Sequence, residues 1–412
     1  MNNGLVWKRE VLSNGLVVLQ YPRPSALTAQ ISVAIKYGST DDENEKMGTA
    51  HFLEHMLVGG SLERIKLHHE IERWGGISNF ETTEESTFST IDIFPEKITD
   101  ASKILSQLLF DNMLSTDKLE LERKVILNEI AETSDNPQEK IADTLLKCLF
   151  RKHPVRNPIC GSKKTVNQIS LAELKVTHQN QYAPNNMICI LTGKFSEKDA
   201  EAALANFQDK EKQNHTFKIQ RKSEKMKPRM KATLERSGIN QAYLCFGLRA
   251  PPAQDPDAIT LDLINAVLGM GESSRLFVEL REKRALTYDF SSMNIYGKDY
   301  GYFSVACAVK EKFIKQTQDI IKKELEKIKN DPIANGELEK SKNLILSDLL
   351  RSMDNSQELP RTIAEAEVLF SNEKALISYT NKIKSLTKED IMTTANKYFE
   401  EDNYSIATLT PK

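Results

Sequence analysis

Two stretches of this chain read alike, and their likeness limits the fold more than any other feature of the sequence. From Ile169 the order is Ile-Ser-Leu-Ala-Glu-Leu, a helical stretch to Tyr182, then the apolar run Asn186-Met-Ile-Cys-Ile-Leu-Thr-Gly. From Lys384 it is Lys-Ser-Leu-Thr-Lys-Glu-Asp-Ile, a helical stretch to Tyr398, then Asn403-Tyr-Ser-Ile-Ala-Thr-Leu-Thr. Ser170 and Ser385 stand about half a chain length apart, so a helix-then-strand unit closes each half and a duplicated domain is expected. The 412 residues exceed what one ordinary core organises. The break falls at 208–229, a Lys-, Gln- and Glu-rich stretch with few apolar anchors. This gives a first domain over 1–207, a charged linker over 208–229 and a homologous second domain over 230–412. No aromatics interleave the linker's lysines for stacking on bases, so it reads as a solvated connector.

Within each half, strand-like and helix-like segments alternate. Gly15 to Leu19 and Gln30 to Lys36 read as strands; so do Ile77 to Thr82 and Thr87 to Phe94, joined by the polar turn Thr83-Glu84-Glu85-Ser86. Residues 97–113 place Ile98, Ala101, Ile104, Leu105 and Leu108 at helical spacing. The expectation is an α+β fold of two homologous halves, each a mainly antiparallel sheet packed with helices.

Hydrophobic residues are 40% of the chain and charged residues 28%, a globular balance. Lysine and arginine number 56 against 58 aspartates and glutamates, so no overall field draws nucleic acid or an anionic membrane, and function is expected in a local site. The cysteines, Cys148, Cys160, Cys189, Cys245 and Cys307, are scattered and never spaced as CxxC; they read as free thiols of a reducing compartment, mostly in the core. The start Met-Asn-Asn-Gly-Leu-Val-Trp-Lys matches neither a signal peptide nor an Arg-rich transit segment. No run approaches the ~20 apolar residues that span a bilayer. A cytoplasmic protein is the expectation.

The local site is announced by Gly48-Thr49-Ala50-His51-Phe52-Leu53-Glu54-His55-Met56-Leu57-Val58-Gly59-Gly60. Thr49 is placed to cap a short helix and the glycine pair to end it. On that helix His51 and His55 project from one face a turn apart, within reach of a single metal, and Glu54 shares the face. Phe52, Leu53, Met56 and Leu57 would bury the helix, and a buried, unpaired His-Glu-His stripe is costly unless a metal partners it. Two imidazoles leave a catalytic zinc one protein ligand short. The third is expected from the helical acidic segment running from Glu120 to Glu132, where Glu122 and Glu129 lie two turns apart on one face and Glu132 one turn further on. Spacing alone does not choose among Glu122, Glu129 and Glu132.

HxxEH followed by Val125-Ile-Leu-Asn-Glu-Ile130 resembles the pitrilysin or insulinase family of zinc peptidases, in its short bacterial and mitochondrial-processing-peptidase branch. The resemblance covers essentially the whole chain. It implies that Glu129 is the third zinc ligand and that Glu122 is a supporting acid beside the site. Gly75-Gly76, Asn79, Thr82, Glu85 and Thr87 are similar to the family's active-site edge strand, which makes Asn79, Phe80 and Thr82 substrate-binding. Phe80 departs from the family's usual alanine, and the segment between Gly59 and Gly75 is trimmed. The stretch from Ser274 to Tyr288 resembles the segment that supplies a substrate-gripping Arg and Tyr, here Arg281 and Tyr288.

What the resemblance implies is a zinc endopeptidase acting on peptides inside a closed chamber. This chain would form one half of a clamshell, with a second copy or a related subunit completing a homodimer or heterodimer. Glu54 would move the proton of an attacking water, and Tyr288, with Arg281, would steady the developing oxyanion. The competing readings are a noncatalytic scaffold of the same fold, which its intact ligands disfavour, and a structural zinc module, which would be Cys-rich and closed.

Other conspicuous residues carry less. His68 and His69 are adjacent, so they point to different faces and read as surface histidines. His153, His178 and His215 have no ligand-spaced partner. The run Gly269-Met-Gly-Glu-Ser-Ser lacks the remainder of a phosphate-binding motif and reads as a loop capping the Arg275 helix.

Overall fold

The computed structural model describes residues 5–59, 62–111, 114–213, 224 and 230–412, the side chains of 62–64 excepted. Most of the expected linker, 214–223 and 225–229, therefore lies outside the described residues, as do Gly60 and His215. The first half runs β1 (Lys8–Val11), β2 (Val17–Pro22), β3 (Ala29–Ile35), α1 (Thr49–Val58), α2 (Leu62–Arg73), β4 (Ile77–Thr82), β5 (Thr87–Ile93), α3 (Ile98–Phe110) and α4 (Thr116–Asp135). It continues with α5 (Pro137–Leu149), α6 (Lys163–Gln168), α7 (Leu171–Gln181), β6 (Met187–Gly193) and α8 (Glu197–Gln208). The second half runs β7 (Lys231–Arg236), β8 (Ala242–Arg249), α9 (Pro256–Gly269), α10 (Arg275–Phe277) passing into a π-helical turn Val278–Glu282, then β9 (Phe290–Tyr296) and β10 (Gly301–Val309). Helices α11 (Ile314–Asn330), α12 (Asn335–Asp354), α13 (Leu359–Phe370), α14 (Ala375–Ser385) and α15 (Lys388–Tyr398) precede β11 (Tyr404–Pro411).

The strand orders are β1-β2-β6-β3-β5-β4 and β7-β11-β8-β10-β9. Apart from β1 they are the same sheet twice: β2 pairs parallel with β6 as β7 does with β11, and every other neighbouring pair in the shared order is antiparallel. The fold is α+β with two homologous halves. The repeat seen in the sequence is α7 with β6 and α15 with β11, in register two residues later than the paired serines suggest. Ser170 caps α7 through the Glu173 amide, whereas Thr387, not Ser385, caps α15 through Asp390.

The compact units do not follow a simple division into halves at 208–229. One unit comprises 1–131, 158–220 and 352–376, the other 132–157, 221–351 and 377–412. The reason is an exchange of helices. In the second unit, α5 turns Ile141, Leu145, Cys148 and Leu149 inward, and Ile141, Leu145 and Leu149 cover Cys245, Tyr302, Ala407 and Leu409 on the sheet. In the first unit, α13 packs on β6 and β3, the strands equivalent to those that α5 covers. Arg9 on β1 grips the wholly buried Glu367 of α13 by hydrogen bonds of 2.9–3.1 Å, so that carboxylate is not left unpaired.

Glu224 is not a bare connector residue. It accepts from the backbone amides of Arg151, Lys152 and His153 and from the Arg249 guanidinium at 2.6 Å. All five cysteines are buried and free. His178 donates to the Leu109 carbonyl at 2.8 Å, and His153 bonds Asp299 at 3.1 Å; both are buried structural histidines. Among the described residues, no helix is long and apolar enough to cross a membrane.

Candidate metal centre

Helix α1 carries the His-Glu-His stripe because its other sides are apolar: Phe52, Leu53 and Met56 are fully buried. Its start differs from expectation. The N-cap is Gly48, at φ +96°, where a Cβ would meet the Cys160 carbonyl oxygen at 2.6 Å. Thr49 is already helical, and its hydroxyl donates to the Lys46 carbonyl. The capping acceptor is Asp42, whose carboxylate takes the amides of Gly48 at 2.8 Å and Ala50 at 3.0 Å and the Tyr37 hydroxyl at 2.6 Å. Burial pushes the Asp42 carboxyl up to about 7, against the pull of those donors.

At the other end Gly59 is extended, at φ −85°, so its role is not that of a left-handed stop. The Met56 carbonyl is taken instead by the ammonium of Lys118, a buried lysine on α4. Asp42 and Lys118 thus hold α1 at its two ends. Neither carries a sequence signal, since each reaches the helix from a separate element.

Across from α1, α4 presents Glu122 and Glu129 on one face. Of the three acids left open by spacing, the structure brings Glu129 to both imidazoles: His51 Nε2 lies 3.5 Å from its Oε1, and His55 Nε2 lies 3.4 Å from its Oε2. Glu122 is buried and takes the opposite nitrogen of His55, Nδ1, at 3.2 Å. Glu132 is not in the group. The donor atoms of His51, His55 and Glu129 all lie within 4.8 Å of one another, the only such His/Cys/Asp/Glu group among the described residues.

This donor set fits a small divalent ion. Metal–ligand bonds of ~2.0–2.2 Å at tetrahedral angles separate neighbouring donors by about 3.4 Å. The two observed imidazole–carboxylate gaps, 3.5 and 3.4 Å, have that size and are long for hydrogen bonds. A carboxylate on the non-converging nitrogen, as Glu122 is on His55, fixes the tautomer that leaves Nε2 free to bind. Among the described residues His51 has no equivalent: its buried Nδ1 meets no partner there, and its ring rests edge-on against His55, centroids 4.6 Å apart.

Burial disfavours charge on His55, but its hydrogen bond to Glu122 and the nearby carboxylates of Glu129 and Glu54 outweigh it and raise the imidazole to about 9. The imidazoles of His51 and His55 beside it hold Glu129 well below the usual carboxylate range. The Glu129 side chain is 44% exposed, so the group opens to solvent on that side.

Glu54, between the two histidines in sequence, points to β4, where the Thr82 hydroxyl donates to its Oε2 at 2.8 Å. Strand β4 is the free edge of its sheet. Phe80 is half-buried against the core and edge-on to His68, whose Nδ1 meets Ser78 Oγ at 3.1 Å. His68 is therefore tied to β4 rather than being a plain surface histidine, while His69 is exposed. Asn79 is exposed, and Glu81 on the same face pairs with Arg361 of α13 at 3.1 Å.

In the second unit, the Arg281 guanidinium lies 4.6 Å from the Tyr288 ring centroid and 4.9 Å from that of Phe277. The Tyr288 side chain is 83% exposed. Ser274 starts α10 without a side-chain capping bond, so the preceding loop does not cap that helix in the expected way.

Known proteins match along the whole chain. The family model described as "Insulinase (Peptidase family M16)" matches residues 17–163, and the one described as "Peptidase M16 inactive domain" matches 168–345. A Bacillus subtilis protein named "Uncharacterized zinc protease YmxG" is 27% identical over 98% of both chains. The mitochondrial-processing peptidase subunit beta of Lentinula edodes is 25% identical over 99% of this chain and 91% of its own. The crystal structure of a protease from Helicobacter pylori superposes with a TM-score of 0.91 at 23% identity, covering 98% of this chain and 99% of that one. With two adjoining matches to one family, relatives along its full length and the duplicated fold, the chain belongs to the insulinase family, peptidase family M16, in its short branch.

Proposed function

We propose that this protein is a zinc-dependent endopeptidase whose ion is held by His51, His55 and Glu129. The observation that carries the reading is the convergence of those donors beside a carboxylate, Glu54, anchored among the described residues through one oxygen. The zinc protease names of its relatives support the choice of metal. When bound, zinc supplies a Lewis acid that brings the pKa of water from ~15.7 toward ~7.

Glu54 accepts the proton of the attacking water and returns it to the leaving amine. Glu122 keeps His55 in its binding tautomer. Strand β4 receives an extended peptide by strand addition. Because Thr83 donates its amide to the Ser86 carbonyl, the alternation of antiparallel pairing turns the free backbone groups of Ser78, Phe80 and Thr82 toward the open edge. Phe80 and Thr82 thus serve substrate through their backbones, and Asn79 through an exposed side chain. Arg281 and Tyr288 supply the grip and the oxyanion donor. Substrate access is limited by a chamber that a second copy or a related subunit completes.

Zinc content, together with cleavage of quenched peptides of graded length by wild type and Glu54→Gln, tests this. Zinc in both with cleavage by wild type alone is expected, with a length cutoff that sizes the chamber. A wild type that neither binds zinc nor cleaves after reconstitution would overturn the reading in favour of a scaffold. Full turnover by Tyr288→Phe would remove Tyr288 from the mechanism.

A further inference from the structure

Thr82 lies in the edge strand to which a substrate is proposed to add, yet its hydroxyl is already used. It donates to Glu54 Oε2 at 2.8 Å, and no hydroxyl rotor can give that proton to two acceptors. A β-branched residue is stiff at χ1, so the hydroxyl is aimed by the strand rather than by chance rotation. Helix α1 packs against β4, which keeps donor and acceptor in register. The backbone of the same residue faces the open edge of the sheet by the alternation already described.

We infer that Thr82 is a positioning residue for Glu54 that couples occupation of the β4 edge to the orientation of the base. The inference rests on the endopeptidase reading for its catalytic consequence, but its structural half does not. One carboxylate oxygen is tied to Thr82, so the other is the oxygen that faces the reaction. A peptide pairing with β4 stiffens the strand that carries the tie, and the base becomes well oriented when substrate is in place. This differs from a contact with substrate by the Thr82 side chain, which would act on binding.

The test uses Thr82→Val, which keeps the branched shape and removes the hydroxyl, and Thr82→Ser, which keeps the hydroxyl. In the zinc-loaded full-length protein, Thr82→Val is expected to lower kcat by about 10- to 100-fold, the scale of a misplaced catalytic group. KM and zinc content should stay within about twofold of wild type, and Thr82→Ser should restore most of kcat. Crystal structures of the three proteins should find the Glu54 carboxylate in one orientation in wild type and Thr82→Ser, and turned in Thr82→Val. A Thr82→Val protein with raised KM and unchanged kcat, or with Glu54 unmoved, would overturn the proposal. If zinc-loaded wild type cleaves no peptide, the endopeptidase reading falls by itself. The crystallographic comparison then still decides the structural half: a turned Glu54 supports it and an unmoved one overturns it.

Discussion

The two units build the same five-stranded sheet, and each places a carboxylate from the helix after its second shared strand against its edge strand. In the first unit this is Glu54 of α1, which accepts from Thr82 of β4. In the second it is Asp262 of α9, which accepts from Asn294 at 2.8 Å and from the Tyr296 and Tyr379 hydroxyls at 3.1 Å, the first two being on β9. Thr82 and Tyr296 occupy matching places, each the last residue of its edge strand. One design therefore has two outcomes. Three donors close around Asp262, whereas among the described residues Glu54 takes a side-chain hydrogen bond from Thr82 alone, beside the converging His51, His55 and Glu129. On the proposed reading, the difference between an acid that braces and one poised for chemistry lies in the number of donors around it, not in the fold.

The largest effect expected from this comparison separates the two acids directly. Glu54→Gln should reduce peptide turnover by about 1000-fold or more with zinc retained, because the proton carrier is lost and the ligands are not. Asp262→Asn should leave turnover of the folded protein within about twofold. Steady-state cleavage with zinc quantification measures both. Equal losses from the two substitutions would break the comparison, because Asp262 would then be part of the working chemistry.

A smaller effect is expected at the second level of the site. Glu122→Ala removes the carboxylate from His55 Nδ1 and should weaken zinc by about 10- to 100-fold, read by competition with a chelator. His51, whose Nδ1 has no partner among the described residues, offers no such lever. Unchanged zinc affinity in Glu122→Ala would mean that packing alone orients both imidazoles.

Much of this was legible in the sequence for physical reasons that differ by element. The hairpin of β4 and β5 and the helix α3 follow from alternation and from 3.6-residue spacing, which are local properties. His51 and His55 were fixed as a pair by one helical turn, but the choice of Glu129 over Glu122 and Glu132 was not, because two turns of α4 bring both Glu122 and Glu129 to the same face. Only the packed distance between α1 and α4 separates the acid that meets Nε2 from the one that meets Nδ1. Lys118 and the exchange of α5 and α13 were illegible, since each joins residues far apart in the chain through tertiary contact, and Asp42 was illegible because it caps α1 from outside the helix, six residues before Gly48. Thr82 was legible as an edge-strand residue but not as the partner of Glu54.

The smallest effect concerns pH, and its sign tests whether Asp262 is a brace. Burial raises its carboxyl to about 6, against the lowering pull of Asn294, Tyr379 and Tyr296. An unfolded aspartate titrates near ~3.9, so the folded unit binds this proton more tightly than the unfolded chain does. Stability from this group is then fully present below about pH 4, is lost as pH rises toward about 6, and is level above. The urea midpoint of wild type minus that of Asp262→Asn should accordingly fall between pH 4 and 6. A difference that grows over that window would mean that the three donors hold Asp262 as a stabilised anion. The contrast with Glu54 would then rest on how many of each carboxylate's oxygens are occupied, with charge playing no part in telling the two acids apart.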